Sequence, residues 1–379
     1  MINEQRLIGS FIKLSKIDSP SRHEGAISKH LKLILEGIGA NPVEDGASKT
    51  TGGESGNLLA KIKGNKPSAP TIVLNAHMDT VAPGRGVYPV IRDGVIYSSG
   101  NTILGSDDKS GIAIILEVIR SLKEQELPHG DIEVLFTVCE EVGLLGAKSF
   151  DTSLLDAKFG YSLDSTKVGT LVIAAPTANH IKFTIHGKEA HAGVAPEDGI
   201  SAIKLAGHAL AKMPLGRIDE ETSANIGIIQ GGTATNIVPG MVVLEGEARS
   251  HCTEKLLKQT NTMVKCMEEA VNTANREGKN VDGARLDVEV SLDFPLMHLD
   301  KESPPVKLAQ RAAMKLDRVL NLIVGGGGSD ANIFNGKGIE MAIMPTGMTD
   351  VHTNAENIKI DDMVITAELL LQTLIENCR

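Results

Sequence analysis

The sequence predicts an α/β protein in which a doubly wound domain with a mixed sheet carries an inserted, ferredoxin-like α+β domain. Three observations predict this architecture. Apolar strands alternate with amphipathic helices in both terminal parts of the chain, whereas the middle part has a β-α-β-β-α-β order. In addition, the 379 residues exceed the length at which a single hydrophobic core usually stops growing. We therefore expect a discontinuous first domain at residues 1–177 and 293–379, and an inserted domain at residues 178–292.

The first domain opens with two helices whose apolar residues recur at helical spacing, and the second helix runs up to Gly39, a typical C-terminal cap. Strands and helices then alternate, and the same alternation is found near the C-terminus. The predicted helices are Glu4–Leu14, Glu24–Ile38, Ser110–Lys123, 304–318 and 361–376, and the predicted strands are Asn57–Ile62, Thr71–Asn75, Ile132–Thr137, 320–324 and 339–344.

The middle segment has a different pattern, in which four strands enclose two helices. We predict strands at 180–187, 223–230, 238–249 and 285–292, and helices at 199–212 and 253–275. This order is that of a split βαβ, or ferredoxin-like, domain.

Composition narrows the class of protein. Hydrophobic residues at 41%, charged residues at 23% and a mean hydropathy of −0.01 are typical of globular proteins. The net charge of −10 has no offsetting basic stripe, which argues against a nucleic-acid partner. The four cysteines form no C-x-x-C pair, the residues Met1–Lys13 lack a signal-peptide pattern, and no stretch of about 18 apolar residues occurs. These features predict a cytoplasmic protein with no membrane partner.

Charged and histidine side chains follow several of the apolar strands. Such groups are costly at the ends of buried strands unless they are paired, exposed or bound to a metal. Taken singly, each is more typical of a solvated surface group, a core histidine or a helix cap. Taken together at strand ends, where ligands collect in α/β sheets, they favour a pair of metal ions. The clusters are His77-Met78-Asp79, Asp107-Asp108-Lys109 and Glu140-Glu141, with Asp164 and His352 as single residues.

The residue types suggest roles within such a site. His77 suits a metal as neutral imidazole, and Asp79 is placed to accept the proton of the other ring nitrogen. Asp107 has two oxygens with which to bridge two cations. Glu140 and Glu141 crowd negative charge, which is tolerable if one ligates a cation and the other faces the water that the cation activates. The alternative for this pair is a solvated helix start.

The motifs as a set resemble a known family, the two-metal exopeptidases and amidohydrolases that include peptidase T, bacterial glutamate carboxypeptidase and acylase. The likeness spans nearly the whole chain. The segments Asp-Asp-Lys at 107–109 and Gly-Leu-Leu-Gly-Ala at 143–147 are most similar to the peptidase T branch, the tripeptide aminopeptidases. The motifs that carry the resemblance are His77-Met-Asp79-Thr-Val, Gly105-Ser-Asp107-Asp-Lys-Ser-Gly111, Glu140-Glu141-Val-Gly143, Asp164 and His352.

The resemblance implies a role for each residue of the set. His77 and Asp164 would hold one metal ion, Glu141 and His352 the other, and Asp107 would bridge them. Two divalent ions are implied, with zinc expected and cobalt or manganese as alternatives. Asp79 would orient His77, and Glu140 would be the general base for a hydroxide that bridges the two ions. The resemblance also implies a cis peptide bond between Asp107 and Asp108.

The inserted domain, by the same resemblance, would be a lid that supplies substrate contacts and a homodimer interface. His191, in Ala190-His-Ala-Gly193, matches the histidine that reaches a neighbouring subunit's site in dimeric members. Asn236 and Arg249 match lid positions that grip the substrate, and Ser329 lies in a glycine-rich loop expected against it. Two departures are visible: Ser106 stands where alanine is usual, and the proline found after this lid motif in many relatives is missing after Gly193.

Three functions are consistent with these motifs. The first is a metal-dependent exopeptidase that removes residues from the N-terminus of short peptides, as a tripeptide aminopeptidase does. The second applies the same site to a different bond, as a carboxypeptidase, dipeptidase or N-acyl amino acid deacylase. The third is a metal- or peptide-binding protein without catalysis. The complete set of ligands and base gives the third no positive support, and the pocket residues do not decide between the first two.

Overall fold

A computed structural model describes residues 1–277 and 283–379 of the chain. The chain divides into two compact units. Unit 1 comprises Met1–Ala175 and Met297–Arg379, and unit 2 comprises Pro176–Leu296. The predicted insertion, 178–292, lies inside unit 2.

The helices of the described residues belong to both units, with α6 and α7 in unit 2. In chain order they are α1 (Glu4–Ser15), α2 (Gly25–Gly37), α3 (Ser48–Thr51), α4 (Ser106–Glu124), α5 (Leu145–Ser149), α6 (Ala202–Leu210), α7 (Thr253–Glu277), α8 (Pro304–Lys315), α9 (Asp330–Gly336) and α10 (Ile360–Glu376).

The strands are mostly short, and those of unit 2 are β9 to β13. In chain order they are β1 (Val43–Glu44), β2 (Leu58–Ile62), β3 (Ile72–His77), β4 (Pro89–Arg92), β5 (Val95–Ser98), β6 (Ile132–Thr137), β7 (Phe159–Ser162), β8 (Thr170–Ala175), β9 (Thr177–His186), β10 (Gly216–Arg217), β11 (Thr222–Gly231), β12 (Met241–Ser250), β13 (Arg285–Phe294), β14 (Met297–His298), β15 (Asn321–Val324), β16 (Glu340–Ile343), β17 (Met348–Thr349) and β18 (Asn357–Lys359).

Unit 1 is built on a nine-stranded mixed sheet in the order β1-β2-β6-β3-β7-β16-β8-β14, with β15 paired to β8. The four central strands, β6, β3, β7 and β16, run parallel, and antiparallel strands flank them. Every residue of β3 and β6 is buried, as expected for parallel strands that are covered on both faces. This topology confirms the predicted α/β class with a mixed sheet.

A second sheet of unit 1, in the order β17-β18-β5-β4, was not predicted. Its hairpin β4–β5 turns at Asp93-Gly94, where both residues have positive φ, 50° and 76°. Asp-Gly is a preferred pair for a two-residue turn of this kind. The strands of this sheet are short and partly exposed, so the usual signal of a longer apolar run is missing.

Unit 2 contains a five-stranded antiparallel sheet in the order β10-β11-β12-β9-β13. The helices α6 and α7 pack on it around an apolar core that includes Phe183, Leu244 and Met263. Apart from the two-residue edge strand β10, the succession β9-α6-β11-β12-α7-β13 is the predicted β-α-β-β-α-β order, which confirms the ferredoxin-like class of this unit.

Membrane insertion has no support from the helices of residues 1–277 and 283–379, since none combines the length and the hydropathy that a membrane span requires.

Candidate metal centre

The carboxyl ends of the parallel strands in unit 1 bring the predicted clusters to one edge of the sheet. His77 is the last residue of β3, Glu140 and Glu141 follow β6, and Asp164 follows β7. Because β3 pairs in parallel with both β6 and β7, these ends are neighbours. The sheet topology thus explains why residues that lie far apart in sequence share one site.

Asp107 reaches the same edge from the N-terminus of α4. Asp107 and Asp108 depart from helical dihedrals, with ψ of 105° and 32°, so the regular part of the helix begins close to the predicted start at Ser110. The peptide bond between Asp107 and Asp108 is cis. His352 lies between β17 and β18 with φ of 63°, a left-handed backbone conformation.

Asp107 is the centre of the site, because each of its oxygens faces a different histidine. Oδ1 lies 2.9 Å from Nε2 of His77, and Oδ2 lies 3.2 Å from Nε2 of His352. The same nitrogen of His352 lies 3.0 Å from Oε1 of Glu141. One ligand atom each of His77, Asp107 and Glu141 lie within 4.8 Å of one another, a spacing that can hold a metal ion. This arrangement agrees with Asp107 as a ligand shared by two cations.

The carboxyl groups of the site are crowded, and each is buried or half-buried. Burial raises the pKa of Asp164 to about 8, and the nearby Asp107 charge contributes. Burial likewise raises the pKa of Glu140 well above its usual value, and it raises that of Glu141. Divalent cations would relieve this repulsion and favour the ionised forms. The donor set therefore fits metal ions, whose binding would displace protons.

The pKa values of the two histidines are also raised, which in their case favours the charged form. Hydrogen bonds to Asp107 and Glu141 raise the pKa of His352 to about 10. Burial acts to lower the pKa of His77, but Asp107 and Asp79 outweigh it and raise the pKa well above its usual value. Burial also acts to raise the pKa of Asp107, yet the hydrogen bonds from His352 and His77 lower it. The carboxylates of the site thus favour the protonated form of both imidazoles.

Asp79 supports the site in more ways than the sequence suggested. Nδ1 of His77 lies 3.0 Å from the Asp79 carbonyl oxygen and 3.4 Å from its carboxylate, so the carbonyl is the nearer acceptor. The carboxylate accepts the backbone N–H groups of Glu140 and Glu141, at 2.9 and 3.2 Å, and the Ser21 hydroxyl, at 2.7 Å. Asp79 therefore ties His77 on β3 to the two glutamates that follow β6.

Glu356 is a supporting residue that the sequence analysis missed. Its buried carboxylate accepts the backbone N–H groups of Leu104, Gly105 and Asp107 at 2.7, 3.0 and 3.1 Å, and the Ser106 hydroxyl at 2.6 Å. The only available signal was its position four residues after His352. The contact also explains the serine at position 106, because its hydroxyl donates to Glu356.

We expect Glu356→Ala to lower the affinity for divalent metal by about 10- to 100-fold, the usual cost of losing a residue that orients a ligand. The reason is that the backbone N–H groups of Leu104, Gly105 and Asp107 lose their acceptor. Ser106→Ala removes one donor and leaves the other three bonds, so its loss should be smaller. Titration of metal-free protein with Zn²⁺ in the presence of a competing chelator measures both. Equal affinities in Glu356→Ala and wild type would contradict this role.

The glycine-rich loop ends in a helix cap. The Ser329 hydroxyl accepts the Ala331 N–H at 3.3 Å, and Asn332 accepts the Ser329 N–H at 3.1 Å, which together form a capping box on α9. The Asp330 carboxylate accepts the hydroxyl of Thr137, the last residue of β6. Burial raises the pKa of Asp330 to about 6. The loop is thereby anchored to a strand that leads into the metal site.

Two of the predicted lid residues come together within unit 2. The segments that contain His191 and Asn236 run side by side: Ile237 bridges His191, and the Ala192 N–H donates to the Asn236 carbonyl at 2.9 Å. Both side chains are exposed. Arg249 on β12 instead pairs with Glu247 through two contacts of 2.8 Å and lies over the Phe294 ring. Its guanidinium fork is therefore engaged within the unit.

Comparison with known proteins defines the class. Residues 73–376 match the family described as Peptidase family M20/M25/M40, so the chain belongs to this peptidase family. The predicted resemblance is confirmed, and so is the prediction of a hydrolytic metallopeptidase.

Within the family, the chain is similar over its full length to two solved structures. Aminopeptidase PepT from Bacillus cereus ATCC 10987 is 44% identical, with 100% of each chain covered and a TM-score of 0.89. A tripeptidase (SAV1512) from Staphylococcus aureus subsp. aureus mu50 is 41% identical, again with 100% of each chain covered and a TM-score of 0.93. Peptidase T of Escherichia coli (strain K12) is 32% identical over 212 residues, which are 47% of this chain and 52% of that protein. The predicted branch of the family is the one that these relatives represent.

Proposed function

We propose that the protein is a tripeptide aminopeptidase that uses two divalent cations. The observation that carries the proposal is Asp107, whose two oxygens face His77 and His352, with Glu141 beside His352. The full-length similarity to an aminopeptidase and a tripeptidase supports the reaction. His77 and Asp164 would hold one ion, Glu141 and His352 the other, and Asp107 both. Zinc is the proposed metal, since imidazole and carboxylate ligands suit it, with cobalt or manganese as alternatives.

Glu140 is the proposed general base. When bound, a pair of cations lowers the pKa of water and polarises the scissile carbonyl. Glu140 would take the proton of the attacking water and return it to the departing amine. Its buried position and the pKa raised by burial favour this role, because a carboxylate that is a poor acid is a strong proton acceptor once ionised. Asp79 would hold the turn that carries Glu140 through the two backbone hydrogen bonds described above.

Substrate contacts are proposed for His191, Asn236, Arg249 and Ser329. The exposure of His191 and Asn236 leaves them available to a ligand. The Arg249 guanidinium must release Glu247 before it can bind the carboxylate of a peptide, because the two carboxylates would occupy the same pair of N–H groups. Ser329 accepts a hydrogen bond through its oxygen, which leaves its proton to donate.

A homodimer through unit 2 is also proposed. Val290 and Leu292, on the edge strand β13, are 46% and 60% exposed. Apolar residues on an open sheet edge suit an interface. A cytoplasmic location is proposed as well, since Cys139, Cys252, Cys266 and Cys378 are all free.

A product analysis tests the proposed specificity. We expect the metal-loaded protein to release the N-terminal residue of a tripeptide, to act on its C-terminal amide at a lower rate, and to leave the N-acetylated tripeptide intact. An aminopeptidase needs the free amine. Mass spectrometry of the products distinguishes the alternatives: cleavage of the acetylated peptide alone would indicate a carboxypeptidase or a deacylase and would contradict the proposal.

A further inference from the structure

We propose that Glu24 is a positioning residue for Glu140 and that it acts through the backbone of Cys139. The inference rests on the proposed function in one respect, because Glu140 is the base only in that function. Glu24 lies at the N-terminal boundary of α2, more than a hundred residues from Glu140 in sequence. Its side chain is fully buried.

The Glu24 carboxylate connects two loops. Its Oε1 accepts the Cys139 N–H at 3.0 Å, the Arg22 N–H at 2.9 Å and the Cys139 thiol at 3.3 Å. Although Glu24 occupies the N-cap position of α2, its side chain makes no capping hydrogen bond to that helix within the described residues. The carboxylate therefore serves the turn after β6 rather than its own helix.

Cys139 needs such support because its φ is +54°, in the left-handed region that residues other than glycine rarely adopt. Three consecutive N–H groups in this turn point at buried carboxylates: Cys139 donates to Glu24, and Glu140 and Glu141 donate to Asp79. Successive amides in such a turn form a concave anion-binding nest. The nest here is filled by the protein's own side chains.

The carboxylates of Asp79 and Glu24 together hold the backbone around Glu140. Asp79 fixes the amides of Glu140 and Glu141, and Glu24 fixes the residue just before them. On the other side, the Glu140 carbonyl accepts the N–H groups of Gly143 and Leu144 at 3.1 and 2.8 Å. Without Glu24, the Cys139 amide loses its acceptor, and we expect the backbone at Cys139 to return to negative φ. The Glu140 side chain would then shift.

A second observation indicates that the Glu24 side chain does more than fill space in the core. Oε2 of Glu24 is buried and has no hydrogen-bond partner among the residues that the structure describes. Burial, followed by the charge of Asp79, raises the pKa of Glu24. A buried carboxyl with one unpaired oxygen is costly, and an apolar residue would fill the same space without that cost. The position thus requires the acceptor that Oε1 supplies.

The test compares Glu24→Ala with Glu24→Gln in the metal-loaded, full-length protein. Glu24→Ala should lower kcat for a tripeptide by about 100-fold, since a displacement of about 1 Å at a reacting group has an effect of that size. The KM and the metal content should stay near the wild-type values, because Glu24 contacts neither substrate nor ligand side chains. Glu24→Gln keeps an oxygen that accepts from Cys139, and we expect it to recover most of the lost kcat.

Glu133→Ala is the matched control. Glu133 lies on β6, the strand that leads into the turn, is 1% exposed and accepts the N–H groups of Asp156 and Ala157, both at 3.0 Å. Glu133→Ala therefore also removes a buried acceptor of backbone N–H groups, but one that does not contact the turn at Cys139. The melting temperature should fall as in Glu24→Ala, with kcat unchanged at temperatures where both variants are folded.

A crystal structure of Glu24→Ala completes the test, and Cys139 should leave the left-handed region in it. A wild-type kcat in Glu24→Ala, an equal loss in Glu133→Ala, or a loss of metal from Glu24→Ala would overturn the positioning role. If wild type itself cleaves no tripeptide, the proposed function fails instead. The crystal structure then decides the inference separately, because an unchanged φ at Cys139 contradicts it whatever the reaction.

Discussion

Glu140→Gln is expected to keep two bound metal ions and to lose about 10²- to 10⁴-fold in kcat, the usual contribution of a general base. Glutamine has nearly the same shape as glutamate but cannot take up a proton. Its backbone N–H still donates to Asp79, so the turn should keep its conformation. The substitution therefore isolates proton transfer from the architecture of the site.

Two measurements check this prediction. Elemental analysis should give the same metal content as wild type, and the rise of kcat with pH that reflects ionisation of the base should disappear, because only the deprotonated carboxylate accepts the water's proton. Glu141→Gln is the matched contrast: the neighbouring glutamate contacts His352 and is a proposed ligand, so its variant should lose metal. Retained metal with a wild-type kcat in Glu140→Gln would refute the base assignment.

The second large effect is expected for Asp107→Asn, which should lose both ions together with activity. Asp107 offers one oxygen toward His77 and the other toward His352, whereas asparagine replaces one oxygen with an NH₂ group that cannot ligate a cation. Metal affinity should fall by more than about 100-fold, because residues that only support a ligand already account for about 10- to 100-fold.

Glu117→Gln is the control for Asp107→Asn. Glu117 lies on the same helix, is 1% exposed and is paired with Arg6, so its variant also loses a buried carboxylate charge. It should lower the melting temperature and keep two metal ions at wild-type affinity. Elemental analysis and calorimetric titration with Zn²⁺ compare the two variants. Two tightly bound ions in Asp107→Asn would show that the aspartate is not shared between them.

The sequence was sufficient for the core of the fold because the buried strands are predominantly apolar. β6 was predicted with the observed ends, Ile132 and Thr137, and β3 within two residues. The hairpin β4–β5 was missed because its half-exposed strands carry only the short apolar runs Val90-Ile91 and Val95-Ile96-Tyr97, although its Asp93-Gly94 turn was visible. Local patterns thus identify elements that are buried more readily than elements that are short and half-exposed.

The sequence by itself determined the order of the main buried strands and helices and the residues that end or closely follow those strands, among them His77, Glu140 and Asp164. Burial in a parallel sheet imposes both the apolar runs and the position of the polar groups at their ends. Only the tertiary structure decided which groups support them. Glu24 and Glu356 act through backbone amides. A carboxylate that accepts a distant N–H leaves no pattern in sequence, because the N–H group is common to every residue except proline.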